Sequence, residues 1–128
     1  MAELPAKAKA LIDGKNFATV ATLMKDGSPQ VSVTWIAREG DIVIVNTTKD
    51  RVKARNALRD PRVAISVFSM QDPYDAVYIR GRVIEATDSG AEENVDALAH
   101  KYIGTDYREH GNRIMLRIEP LHVHVQKQ

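Results

Sequence analysis

Basic and hydroxyl side chains between residues 46 and 59 form the part of this sequence best suited to bind a ligand. Two hydroxyl residues, Thr47 and Thr48, precede three arginines at helical spacing, Arg51, Arg55 and Arg59. On a helix these arginines share one face, where like charges four residues apart repel each other by about a few tenths of a kcal/mol per pair. No acidic residue lies at the intervening helical positions. A bound anion would relieve this repulsion.

A helix beginning in this run would add the other features of an anion site. We predict a short basic helix over residues 47–59, ended by Asp60-Pro61. Its first turn would supply free N–H groups and the positive end of the helix dipole beside the threonine hydroxyls. This arrangement suits a phosphate. The charge pattern alone is equally consistent with a solvated basic helix, and phosphate binding would not define a reaction.

Other side chains offer weaker chemistry. His122 and His124 lie two apart on a predicted strand and so point the same way, but no local carboxylate supplies a third metal ligand. The pattern therefore favours the polar side of a strand, and we predict no metal site. Glu92 and Glu93 are typical of a solvated helix face. The sequence has no cysteine, which excludes disulfides, thiolate metal sites and cysteine nucleophiles.

Length and charge narrow the function classes. With 128 residues, we expect a single domain over residues 1–128, too short for separate cofactor and substrate domains. The net charge of +1 argues against a nucleic-acid partner. No apolar run is long enough for a membrane span, and the N-terminus lacks the apolar core of a signal peptide. We therefore expect a cytoplasmic protein without a membrane partner.

Apolar periodicity predicts three short helices and about six strands. The first helix follows Leu4 and ends at Gly14; the second covers residues 47–59. The third carries the apolar stripe Val95, Leu98 and Tyr102, is capped by Asp88 or Ser89, and ends at Gly104. Strands are predicted at residues 17–24, 31–35, 42–45, 63–68 and 77–86, and from residue 114 onward.

Two local signals define the strand connections. Asp26-Gly27 between apolar runs predicts a hairpin. After Pro120 the apolar parity of the last strand flips, which indicates a bulge or bend. Because hairpins outnumber βαβ units, we predict a mainly β fold with short helices (α+β), built as an antiparallel barrel with helices at its edges.

Three segments carry a resemblance to a known family. The stretch RVKARNALRDPRV, residues 51–63, resembles the K-x-R-N-L-R-x-D-P-R signature of the pyridoxamine-phosphate-oxidase-like split barrels. It is most similar to the branch that uses the 5-deazaflavin coenzyme F420. Residues 18–32 and 78–83 resemble the same family, so the similarity covers nearly the whole chain in order.

The resemblance implies a homodimer with two cofactor sites at its interface. It also assigns residues to the parts of the cofactor, as follows. The phosphate would contact Arg51, Lys53, Arg55 and Asn56. The ribityl chain and ring would lie beside Asn46, Thr47 and Thr48. The ring edge would meet Gln30, Val31, Ser32 and Val33. The other subunit would contribute Pro73, Tyr74 and Tyr78. Without ligand, Arg51 and Lys53 are expected at the surface.

The implied activity is hydride transfer from reduced coenzyme F420 to an unsaturated organic small molecule, with no catalytic side chain assigned. An FMN-dependent flavoprotein of the same fold and a non-enzymatic cofactor carrier are the alternatives. Lys49, Arg55 and Arg59 could meet the anionic tail that distinguishes F420 from FMN. The chain lacks the arginine-rich end with which true pyridoxamine phosphate oxidases grip their substrate. A vitamin B6 phosphate is therefore not the expected substrate.

Overall fold

Ten elements follow one another along residues 1–108 and 111–126, the part of the chain that this computed structural model describes. They are α1 (Ala6–Asp13), β1 (Ala18–Leu23), β2 (Pro29–Thr34), β3 (Ala37–Glu39), β4 (Ile42–Thr48), α2 (Val52–Arg59), β5 (Arg62–Phe68), β6 (Ala76–Thr87), α3 (Ala91–Ile103) and β7 (Arg113–Val125).

The strands form one open antiparallel sheet in the order β2-β1-β5-β6-β7-β4-β3. This confirms the predicted mainly β fold with short helices and its split-barrel architecture. The described residues hold seven strands rather than about six, because the three-residue edge strand β3 was not predicted. Three residues are too few to show a period, so β3 exists through its pairing with β4.

The core lies where α1 packs against the inner face of the sheet. Strand β4 is apolar on both faces, as predicted, because Val43 and Val45 face this core while Ile44 packs under α3. From α1, Leu11 and Ile12 join the same core. Each fully buried aliphatic side chain of this kind contributes about 1.5–3 kcal/mol to folding.

The predicted turn and bulge are both confirmed. Gly27 has φ +88° in the hairpin between β1 and β2, a conformation that glycine adopts without strain. On β7 the pairing passes from Arg80 with His122 to Gly81 with Pro120, which leaves Leu121 as the extra residue. A Cβ on Gly81 would lie 2.7 Å from the Glu119 carbonyl oxygen, so this close crossing requires glycine.

Strand β2 places its apolar side chains away from the core. Val31 and Val33 are 64% and 65% exposed, while Gln30 and Ser32 are partly buried beside the inward-facing residues of β1. The exposed face continues across β6, where Tyr78 is 43% exposed. We call it the outer face of the sheet. The alternation predicted the strand correctly, but its apolar side faces solvent in the isolated chain.

Two helix starts differ from the prediction. Helix α2 begins at Val52 with Arg51 as its N-cap, so Thr47 and Thr48 end β4 instead of opening the helix. Helix α3 begins after Gly90, whose φ of +79° makes the turn, and no side chain caps it. The Asp88 carboxylate instead pairs with Lys49 at 3.2 Å, which joins the β6–α3 turn to the segment before α2.

Lys101 ties α3 to the rest of the fold. Its ammonium donates to the Ile12 carbonyl at 2.6 Å and to the Ile36 carbonyl at 2.9 Å. Burial lowers the pKa of Lys101 to about 8. Burial also raises the pKa of Tyr102, the next residue.

Stability should therefore rise with pH between about 8 and 10. In this window the unfolded chain, whose lysine has a pKa of 10.5, holds more protons than the folded chain, so the free energy of unfolding increases. Lys101 is half-buried and partly screened by solvent. The free energy of unfolding should therefore increase by only a fraction of about 1.4 kcal/mol per pH unit. Urea unfolding measured across this range tests the effect. Lys101→Met should reduce the slope, and an unchanged slope would contradict this account.

Candidate functional site

A cavity of about 220 Å³ lies where β2 and β4 end and α2 begins. It gathers six of the residues predicted to bind a cofactor, namely Val33, Asn46, Thr47, Thr48, Arg51 and Lys53. Residues from two separate stretches of the chain, the end of β2 and residues 46–53, thus meet at one place.

Lys53 is the most unusual residue of the cavity. Its side chain lies on the inner face of α2 and is 7% exposed, so the expectation that it lies at the surface is wrong. It makes no ion pair or hydrogen bond within residues 1–108 and 111–126. Burial, and then the charge of Arg51, lower the pKa of Lys53. A buried cation without a counterion costs stability, which an anionic ligand would recover.

Ser32 supplies a second unsatisfied polar group. Its Oγ is buried and has no hydrogen-bond partner among the described residues. Leaving such a group unpaired costs about 1–3 kcal/mol. Ser32 is not among the residues that line the cavity, so of these two groups Lys53 is the one that faces a ligand there.

Asn46 fixes the geometry of the cavity rather than offering a free amide. Its Nδ2 donates to the Ala91 carbonyl at 2.7 Å and to Asn94 Oδ1 at 3.0 Å. Its Oδ1 accepts a 3.4 Å hydrogen bond from Arg113. Asn46 therefore anchors the start of α3 to the end of β4.

The two threonines share the end of β4 but differ in surroundings. Thr47 is 4% exposed, whereas Thr48 is half-buried. A hydrogen bond with the Thr48 side chain is the main cause that lowers the pKa of Asp50.

Asn56 lies outside the cavity and joins α2 to β1. Its Nδ2 donates to Thr22 Oγ1 at 3.0 Å, and its Oδ1 accepts from Arg59 at 2.7 Å. Arg59 also donates to the Leu23 carbonyl at 3.0 Å. Asn56 is 2% exposed and both ends of its amide are engaged. The arrangement gives it a structural role, while Arg55 remains exposed on the same helix.

Asn56→Ala should lower the free energy of unfolding by about 2–3 kcal/mol, because it leaves the buried Thr22 hydroxyl with a weaker set of partners and releases Arg59. Urea denaturation measures the change. Arg55→Ala, an exposed position on the same helix, is the matched control and should alter stability by less than about 0.5 kcal/mol. Equal stabilities of the two variants would contradict the structural role of Asn56.

The remaining predicted residues are not brought to this cavity within one chain. Val31 and Tyr78 line a second cavity of about 390 Å³ on the outer face. Tyr74 is 68% exposed and Pro73 is exposed beside it. This separation from the first cavity is consistent with the expectation that Pro73, Tyr74 and Tyr78 serve a partner's site, which stays a prediction.

The two histidines predicted to point the same way both lie exposed on the outer face. His124 stacks on Tyr78 with ring centroids 6.2 Å apart, and His122 pairs across the strands with Arg80. Within the described ranges, no three His, Asp or Glu side chains group at metal-binding spacing. No helix there is long and apolar enough to cross a membrane.

Three aromatic residues and an arginine that were not predicted complete the cavity, namely Phe17, Trp35, Tyr107 and Arg113. Arg113 reaches it because β7 pairs with β4 so that Arg113 lies opposite Thr48. Tyr107 follows α3 in a segment without periodicity. The only available signal was Trp35, the single tryptophan, directly after an alternating strand.

Known structures share this fold. An F420 reductase superposes with a TM-score of 0.84 and 26% identity, covering 94% of this chain and 98% of that chain. A conserved hypothetical protein from Mycobacterium tuberculosis has a TM-score of 0.74 and 22% identity over 96% of this chain and 84% of its own. General Stress Protein 26 from Bacillus anthracis has a TM-score of 0.70 and 17% identity over 94% and 91%. The last two show the fold alone.

The open antiparallel sheet with its three short helices defines a split barrel. The sequence profile of the family described as pyridoxamine 5'-phosphate oxidase matches residues 4–127. The chain belongs to this family, as its sequence motifs indicated. No curated protein sequence matches it.

Proposed function

We propose that this protein is a homodimeric oxidoreductase that binds coenzyme F420 and transfers hydride from the reduced deazaflavin to an unsaturated organic small molecule. The observation that carries the proposal is the buried ammonium of Lys53, which has no partner among the described residues and lies beside Arg51 at the start of α2. Such a pair suits the phosphate that flavins and deazaflavins share. Similarity to an F420 reductase over 94% of the chain supports the deazaflavin.

In this proposal the remaining predicted residues surround the rest of the cofactor. Thr47 and Thr48 lie beside the ribityl chain, with Asn46 holding their strand end in place. Gln30, Val31, Ser32 and Val33 edge the ring, where the cofactor would offer Ser32 Oγ the partner that it lacks among the described residues. Pro73, Tyr74 and Tyr78 come from the second subunit. Asn56 positions α2 and does not contact the phosphate.

FMN remains the second candidate, because the family description names an oxidase of a vitamin B6 phosphate and not a deazaflavin enzyme. The structure also reduces the number of cations available for the F420 tail. Lys49 is paired with Asp88, and Arg59 is held by Asn56 and the Leu23 carbonyl. All three cations that were expected to meet the tail are exposed, but Arg55 is the one whose side chain makes no ion pair or hydrogen bond among the described residues.

In this mechanism the role of the protein is to position the cofactor and the acceptor. The bound cofactor supplies the hydride chemistry. Lys53 and Arg51 hold the phosphate end, Asn46 keeps the strand end rigid, and a partner that covers the outer face excludes water. Catalysis then comes mainly from orientation and water exclusion. The Tyr78 hydroxyl donates its proton to Gln126 Oε1, so water is the expected proton source.

Cofactor titration tests the proposal. We expect F420 to bind about three- to tenfold more tightly than FMN, the worth of one or two exposed ion pairs between its tail and arginines such as Arg55. Both affinities should fall as salt rises. Equilibrium binding followed by cofactor fluorescence measures them. Equal or tighter FMN binding would select the FMN enzyme, and tight binding without reduction of any acceptor would select the carrier.

A further inference from the structure

The sulfur of Met24 takes part in the polar contacts that hold α2 against the sheet. Asn56 Nδ2 donates to Met24 Sδ at 3.3 Å, in addition to its 3.0 Å hydrogen bond to Thr22 Oγ1. Thr22 Oγ1 in turn donates to Gln30 Oε1 at 3.4 Å. Asn56 lies on α2 together with Lys53, and Gln30 is one of the residues proposed to edge the cofactor ring. Met24 therefore contacts a network that reaches both ends of the proposed cofactor site.

Met24 combines this contact with access to solvent. It is 38% exposed at the end of β1, whereas its partner Asn56 is buried. The other three methionines lack the combination. Met1 and Met70 are exposed, but their sulfurs make no hydrogen bond within residues 1–108 and 111–126, and Met115 is buried under α3. An oxidant in solution can therefore reach a sulfur on which a buried amide depends only at Met24.

We propose that Met24 is an oxidation site through which hydrogen peroxide weakens cofactor binding. The thioether sulfur attacks one peroxide oxygen, so that an S–O bond forms as the O–O bond breaks. The sulfur is oxidised by two electrons and the peroxide is reduced. The proton on the transferred oxygen passes to the other oxygen, which leaves as water. The product is methionine sulfoxide, a polar side chain in place of an apolar one.

The sulfoxide does not fit the contact that the thioether makes. Because Met24 Sδ and Asn56 Nδ2 are only 3.3 Å apart, no oxygen can lie between them at the roughly 2.9 Å that a hydrogen bond to nitrogen requires. The oxidised side chain must turn toward water, and the buried Asn56 amide then loses one of its two acceptors. Since Lys53 and Arg55 lie on the same helix, the phosphate end of the site loosens. This last step rests on the proposed function.

The first experiment needs no cofactor. Cofactor-free protein is treated with hydrogen peroxide, peptide mass spectrometry locates the sulfoxides, and urea unfolding is measured before and after treatment. We expect Met24 to be oxidised while Met115 is protected, and the unfolding midpoint to fall. Met24→Leu should show no fall. Met70→Leu, which removes another exposed methionine, is the matched control and should lose stability on treatment as the unmodified protein does.

The second experiment measures cofactor affinity on the same preparations. We expect the treated protein to bind F420 and FMN about two- to tenfold more weakly, the effect of losing one neutral hydrogen bond. Treated Met24→Leu should bind both cofactors as tightly as it does before treatment. Incubation with the two stereospecific methionine sulfoxide reductases should restore the affinity of the treated unmodified protein, because they convert the sulfoxide back to the thioether.

Three results would overturn the proposal. They are a Met24 that stays reduced while Met70 is fully oxidised, an equal fall in the unfolding midpoint of treated Met24→Leu, and unchanged cofactor affinity once Met24 is fully oxidised. If the untreated protein bound neither F420 nor FMN, the proposed function itself would fail. The mass spectra and unfolding midpoints are measured without cofactor, so the two failures are distinguishable.

Discussion

Lys53→Met is expected to weaken cofactor binding by about 10- to 150-fold while making the cofactor-free protein more stable. The loss corresponds to about 1.5–3 kcal/mol, the worth of a charge-assisted hydrogen bond to phosphate. The gain arises because methionine fills the buried space without a desolvated charge, which we expect to be worth about 1 kcal/mol. Cofactor titration and urea unfolding measure the two effects on the same preparation.

Two control variants isolate the role of burial. Arg51→Met removes an exposed charge at the N-cap of α2 and should weaken binding without raising stability. Lys25→Met removes an exposed charge in the β1–β2 turn and should change neither quantity. If Lys53→Met bound the cofactor as tightly as the unmodified protein does, the basic run would be a solvated helix that does not hold the cofactor phosphate.

A second large effect is expected on the outer face of the sheet. Val31→Lys should dissociate the proposed homodimer, because it places a charge where 64% of an apolar side chain is exposed. Burying that charge without a partner costs about 3–5 kcal/mol, which corresponds to at least about a 100-fold weaker dimer. Sedimentation at micromolar concentration should show a dimer for the unmodified protein and a monomer for the variant.

The shared site predicts a further property of this variant. Val31→Lys should lose cofactor affinity because its dimer dissociates. This loss should shrink as protein concentration rises, because association restores the second subunit's contribution to the site. Ile103→Lys changes a side chain of similar exposure, 57%, at the end of α3 and should leave the dimer intact. An unmodified protein that stays monomeric would remove the shared-site arrangement altogether.

Sequence patterns predicted most of the fold because they report local burial. The stripe Val95, Leu98 and Tyr102 defined α3, and the change of parity after Pro120 located the bulge at Leu121. Strand β3 was missed, and the start of α2 was misplaced. Their boundaries depend on pairing between distant segments, which periodicity does not record.

The candidate site was predictable in composition but not in burial. The residue types at 46–56 indicated an anion site, yet they did not reveal that Lys53 faces inward or that Asn56 is engaged with Thr22 and Arg59. Those properties depend on how α2 lies against β1. Arg113 enters the cavity only through the register of β7 on β4.

The two edges of the open sheet differ in their resistance to aggregation. β3 is three residues long and carries Arg38 and Glu39, which pair with Asp13 and Arg117, so it is a poor template for another strand. β2 is six residues long and has no charged side chain. Its unpaired backbone groups and exposed valines can add strands from other molecules. If the proposed homodimer forms, a chain released from its partner should therefore aggregate through β2, and the covering subunit would also protect this edge during synthesis.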